Sequence, residues 1–169
     1  SPKFEKPLSF RNSLVQSIAG ANTMVFNKYT KNLFHLVGQK AKIVSHDWLA
    51  YMLVSGTDGQ IKYDLYPTIN YRQHSNNIIG MNSGFMAKSY RLYLLLKGQF
   101  KVWNEINVKV LEKVENNFSD EAKKEFQEFK NLRTNKLKLK YKYIFYNKFY
   151  RQTFTGNLGF KLGILLGKI

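Results

Sequence analysis

A chain of 169 residues with 44% hydrophobic and 15% aromatic side chains can bury one core and is too apolar for intrinsic disorder. The absence of cysteine excludes disulfide frameworks, thiolate nucleophiles and Cys-ligated zinc or iron–sulfur centres. A formal net charge of +16 implies attraction to phosphate-rich partners, whether nucleic acid, anionic lipid or nucleotide.

Residues 1–7 lack the apolar run of a secretory leader. Ile18 to Asn27 contains the β-leaning run Thr23-Met24-Val25-Phe26, entered through Gly20, and this pattern predicts a strand. Ser45 precedes a helical pattern formed by Trp48, Leu49, Met52 and Leu53; the helix is expected to start at Ser45, with Asp47 in its first turn, and to end near Ser55-Gly56. After the turn dipeptide Asp58-Gly59, the Ile- and Tyr-rich stretch 60–72 predicts one or two short strands, with Pro67 confining part of it to an edge or bend. Residues 73–84 are polar and rich in Asn and Gly, which sets an organisational boundary.

From Phe85 onward no proline occurs, and apolar residues recur at three- and four-residue spacing, as in Val102, Ile106, Val110 and Val114. Four or five helices are expected. Ser119-Asp120-Glu121 reads as a helix start, and Gly98, Gly156, Gly159, Gly163 and Gly167 as breaks or close-packing points. Charge is concentrated in the same half. Residues 130–169 hold ten basic residues and no acidic one, interleaved with Tyr141, Tyr143, Phe145, Tyr146, Phe149, Tyr150, Phe154 and Phe160. Such a segment can lie on a membrane surface, stack on bases, or form amphipathic helices whose aromatic residues are core. No apolar run approaches the roughly 18 residues that a spanning helix needs.

Phosphate loops of the Walker and dinucleotide types, His-Glu-x-x-His, EF-hand and Gly-x-Ser-x-Gly patterns are all absent. His35, His46 and His74 are too scattered to define a metal site by spacing. Asp47 at a helix start reads first as a partner of the helix dipole. The ordered set Gly20-x-x-Thr23-Met24-Val25-Phe26-Asn27, His46-Asp47-Trp48 and Pro67-Thr68-Ile69-x-Tyr71-Arg72-Gln73-His74-x-Asn76-Asn77-x-x-Gly80 resembles the second half of a family 2 glycosyltransferase. More narrowly it is similar to the rhamnosyltransferase-like members that build bacterial O-antigen and capsular polysaccharide. The likeness covers residues 8–80, with a less diagnostic extension through Tyr150-Arg151-Gln152-Thr153 and Gly156-Asn157-Leu158.

The resemblance implies an α+β fold: residues 1–84 as the acceptor-side, C-terminal portion of a GT-A domain, with few short strands and a helix, and residues 85–169 as a basic helical extension. It implies an inverting transferase that uses a nucleotide sugar, with dTDP-rhamnose as the candidate donor, and a saccharide or lipid-linked acceptor. It places the enzyme in the cytoplasm, peripheral at the inner face of the bacterial membrane. Asp47 would be the base that takes the acceptor proton, with His46 positioning the acceptor and Trp48 offering a ring face to a sugar or belonging to the core. Gly20 and Thr23 would line the pocket of the transferred sugar. Arg72 and His74 would face the leaving diphosphate, whose charge grows in the transition state.

A divalent cation, Mg or Mn, is implied for a complete enzyme, with His74 as a candidate ligand. Neither an Asp-x-Asp pair nor a first nucleotide-binding strand occurs in the chain. The chain therefore reads as a segment without the donor-binding half, with no cofactor of its own and no activity in isolation. The alternative reading is a basic helical module that binds nucleic acid or a membrane surface, supported by charge and by the Tyr/Phe interleaving.

Overall fold

The computed structural model describes residues 4–18, 20–66, 85–133 and 148–169. Seven α-helices and a short 3-10 turn occur among them: α1 (Phe10–Ser13), α2 (Lys28–Val37), α3 (His46–Gly56), α4 (Phe85–Lys97), α5 (Gln99–Glu112), the turn Glu115–Asn117, α6 (Asp120–Leu132) and α7 (Phe154–Leu166). The described residues contain no strand, which overturns the expectation of an α+β, GT-A-type portion.

The physical reasons lie in local hydrogen bonding. At the expected first strand, the Thr23 amide and hydroxyl both donate to the Gly20 carbonyl, at 3.0 and 3.1 Å, and close a turn. Val25 is left 97% exposed. Asn27 then caps α2, its side chain accepting from the Thr30 amide at 3.0 Å. In the expected second strand region, the Asp64 carboxylate accepts from the Tyr66 amide at 2.8 Å, a local turn that competes with strand pairing. Asp58 takes a positive φ of 55° and the Gly59 amide reaches the Val54 carbonyl at 2.8 Å. The Asp-Gly pair thus closes α3 and does not join two strands. Residues 67–72 lie outside the described residues, as does the boundary loop 73–84.

The helix starts are chemically explicit. Ser9, Ser119 and Thr153 each have extended backbone and accept, through the side-chain oxygen, an amide from the first turn of α1, α6 and α7 respectively. Gly98 at φ 83° separates α4 from α5, and Gly167 at φ 63° ends α7; both are left-handed positions that favour glycine. The expected Ser45 start and Gly56 end of α3 are found.

α3 is the central helix. Six consecutive residues, Trp48 to Leu53, are buried, which happens only when a helix is surrounded. α1 and α2 pack on it, and α6 presents Ala122, Phe126, Phe129 and Leu132 on one stripe to the same core. Phe10, Phe118 and Phe126 meet edge to face, with centroids 5.1 to 6.5 Å apart. Gly56 is required beside them, since a Cβ there would lie 3.0 Å from the Phe118 ring. Phe149, Phe160, Ile164 and Ile169 complete the cluster from the C-terminal segment.

Arg11 ties α1 to α6 by a 2.7 Å contact to Glu125 and a 2.6 Å contact to Glu128. Burial pushes the Glu125 carboxyl above its ordinary 4.5, a rise that the Arg11 charge opposes without cancelling. Folded Glu125 therefore holds its proton more tightly than unfolded Glu125. Its contribution to stability is full below pH 4.5 and is lost as pH rises through the raised value. In urea melts across this range, the wild-type protein should lose stability relative to Glu125→Gln as pH increases. A relative gain would show that the ion pair outweighs burial.

Candidate functional site

The candidate catalytic segment is the start of α3. Ser45 is extended and starts the helix without a side-chain cap, and its carbonyl accepts the Leu49 amide at 3.1 Å. The first-turn amides of α3 are therefore not taken up by the Ser45 hydroxyl, a setting that favours a carboxylate in that turn. Asp47 is half-buried and His46 exposed. Among the described residues no ion pair or side-chain hydrogen bond engages the Asp47 carboxylate, so it is not consumed by a structural contact. A carboxylate without a structural partner is chemically able to accept a proton.

Trp48 points the other way. It is buried, and its indole N–H donates to the Ser13 carbonyl at 2.6 Å. Its position is thus the core alternative that the sequence left open, and it anchors the start of α3 against α1. Gly20 and Thr23 form their own turn, and the close approach that Gly20 permits is to the Thr23 hydroxyl, 3.3 Å from where a Cβ would stand. No hydrogen bond joins this turn to His46 or Asp47 among the described residues. Arg72 and His74 lie outside the described residues. No group of three or more His, Asp or Glu residues that could hold a metal occurs among those described.

Two open depressions of about 410 Å³ each lie away from Asp47. One runs along α5 between Lys42, Glu105, Lys109 and Lys113, and the other covers the start of α2 at Phe26, Lys28, Lys31 and His35.

Sequence reasoning missed a polar cluster that joins α1 to α3 and to the segment 150–152. Asn12, wholly buried, accepts from the Tyr51 hydroxyl at 2.8 Å and donates to the Tyr150 carbonyl at 2.8 Å. Gln152 donates to the Lys6 carbonyl at 3.1 Å and accepts from the Lys6 amide at 2.9 Å. The Tyr150 hydroxyl donates to the Pro7 carbonyl at 2.5 Å, and Arg151 donates to the Val15 carbonyl at 2.5 Å. Burial pushes the Tyr51 hydroxyl well above its ordinary range, which keeps it a neutral donor. Burial, and secondarily the charge of Arg91, pull Arg151 down to about 10. It remains a cation at neutral pH. No local signal could have found this cluster, because its partners are 39 residues apart for Asn12 and Tyr51 and more than 130 apart for the bonds to residues 150–152.

No protein-family model matches the chain, and no solved structure matches it. Over 53 residues the chain is 42% identical to dTDP-rhamnosyl transferase RfbG of Shigella flexneri. The matched stretch is 31% of this chain and 18% of that protein, so the chain spans less than a fifth of the relative's length. Over that stretch the chain is similar to a glycosyltransferase.

Proposed function

We propose that the chain supplies the acceptor-side segment of a nucleotide-sugar-dependent glycosyltransferase acting in bacterial surface-polysaccharide synthesis. The observation that carries this reading is the 42% identity over 53 residues to a dTDP-rhamnosyl transferase. The donor suggested by that relative is dTDP-rhamnose, and the acceptor a saccharide carried on a lipid at the cytoplasmic face of the membrane.

Asp47 supplies the chemistry of the acceptor side. As the acceptor hydroxyl attacks the anomeric carbon, its O–H bond breaks and the proton passes to the Asp47 carboxylate. The new C–O bond forms on one face of the sugar while the bond to the nucleotide diphosphate breaks on the other, so the anomeric centre inverts. Arg72 and His74 are assigned to the departing diphosphate, where fixed positive donors favour the transition state over the ground state. His46, exposed beside Asp47, is assigned to orienting the acceptor. The described residues offer no ligand set for the divalent cation that the resemblance implies, and none of these steps runs through one.

The test is Asp47→Asn in the full-length protein, with dTDP-rhamnose as donor and release of dTDP as readout. A missing general base should cost about 100-fold or more in turnover and leave donor binding unchanged. Turnover within a few-fold of wild type would remove Asp47 from the mechanism. A wild-type protein that transfers from no nucleotide sugar would overturn the transferase reading itself.

A further inference from the structure

We infer that the depression beside α2 is a binding site for a nucleoside diphosphate. The site is separate from Asp47 and takes from the reading above only the choice of dTDP as probe. α2 is fixed on one side: Thr30, Leu33 and Val37 are buried, and the helix packs on α3. Lys28, Lys31, Asn32 and His35 fall at i, i+3, i+4 and i+7, the stripe opposite those three, and all four are exposed. Together with Phe26 and Asn27 they line one open depression of about 410 Å³, so these side chains converge on a common volume. That volume lies in the range of small-ligand sites, about 300–1,000 Å³.

The positive charge of this face is not spent inside the protein. Residues 6–46 contain no Asp or Glu, and among the described residues no ion pair engages Lys28, Lys31 or His35. Asp47, the one acid of α3, is not among the residues that line the depression. The depression along α5 differs here, since Glu105 lines it and holds Lys109 at 3.3 Å.

The remaining lining residues choose among anions. Phe26 is 48% exposed, and its ring is steadied by Phe34, with centroids 5.9 Å apart. Asn27 spends its side-chain oxygen on the Thr30 amide and hydroxyl, which leaves its amide N–H donors for a ligand. Asn32 is exposed and adds a second amide. A ring for stacking and amides for the edge of a base suit a nucleotide, whereas a prenyl chain has no polar edge and inorganic phosphate no plane. Lys28 to His35 spans about 10 Å at 1.5 Å per residue, the reach of one nucleotide with its diphosphate and short of a run of strand. A second copy of the face would bring cations against cations.

The experiment is isothermal titration of the full chain with dTDP, thymidine, inorganic diphosphate and farnesyl diphosphate. One dTDP is expected to bind per chain, more tightly than thymidine or inorganic diphosphate. The double variant Lys28→Gln, Lys31→Gln should weaken dTDP about 10-fold or more, the loss of charge-assisted hydrogen bonds, whereas Lys109→Gln on α5 should not change it. Phe26→Ala should weaken dTDP about 5-fold or more, the worth of one stacked base, and leave inorganic diphosphate unchanged, while Phe26→Trp should keep the wild-type affinity. Thermal stability should hold in the lysine variants, because both side chains are exposed. Absent or unsaturable binding overturns the inference, as does binding indifferent to these residues. So does inorganic diphosphate or farnesyl diphosphate that binds as tightly as dTDP at the same residues, or an oligothymidylate that binds there far more tightly. No donor sugar enters these titrations, so loss of nucleotide binding and loss of transfer are separable outcomes.

Discussion

Asn12→Leu is expected to lower the unfolding free energy by about 3 kcal/mol or more, since each buried polar group left without a partner costs about 1–3 kcal/mol. The substitution keeps nearly the same volume, so the effect is one of hydrogen bonding. It strips the Tyr51 hydroxyl of its acceptor and the Tyr150 carbonyl of its donor, both inside the protein. It also removes a longer, 3.4 Å contact from Gln152, which retains Lys6. Tyr51→Phe deletes the hydroxyl, leaves Asn12 Oδ1 the longer Gln152 contact and takes a 3.3 Å acceptor from the Ser9 amide, so a smaller loss of about 1–2 kcal/mol is expected. Urea midpoints of the two variants give the comparison. Equal losses would mean that water enters and replaces the Asn12 side chain.

Truncation of Phe126 to alanine is expected to cost about 3–5 kcal/mol, the range for removing a buried aromatic ring from a core. The ring is fully buried between Phe10 and Phe118, and the Lys130 ammonium lies 4.6 Å from its centre. The cost depends on how far neighbours can move into the space. Phe10 belongs to a helix held to α6 through Arg11, and Phe118 precedes Ser119, whose amide is bonded to the Gly56 carbonyl at 3.0 Å. Both rings are tethered on the backbone side, which places the loss toward the upper end. A loss below about 2 kcal/mol would show that the aromatic cluster collapses freely.

The parts of the fold legible in the sequence are those whose signals are local. Ser45 and Gly56 bound α3, Ser119 starts α6 and Gly98 divides α4 from α5; the last two are legible because a capping side chain and a left-handed glycine act within a few residues. The strand expected at residues 18–27 failed because a short apolar run does not reveal its own partner. Without a neighbouring strand, Thr23 bonds back to Gly20 and Val25 stays in solvent. The end of that stretch and the residues after it carried the signal for α2 in Asn27, Leu33, Val37 and Gly38, a cap, an apolar spacing and a stop.

At the candidate site, the position of Asp47 in a first helical turn was legible, whereas the inward turn of Trp48 was not, since its partner Ser13 is 35 residues away. The basic aromatic tail divided in a way that periodicity alone could not decide. Phe149 and Phe160 joined the core and Phe154 did not. Tyr141, Tyr143, Phe145 and Tyr146 lie outside the described residues.

The bonds that join Lys6, Pro7, Asn12 and Val15 to Tyr150, Arg151 and Gln152 also set a schedule for biosynthesis. When α1 leaves the ribosome, the groups that satisfy its buried side chains are still some 140 residues from being made, about ten seconds or more at ordinary elongation rates. Until then Asn12 has only water or non-native partners, and closing so long a loop carries its entropic cost before any reward. Folding of this protein should therefore finish only after residue 152 has emerged, and a nascent chain stalled before that point should remain sensitive to protease throughout α1.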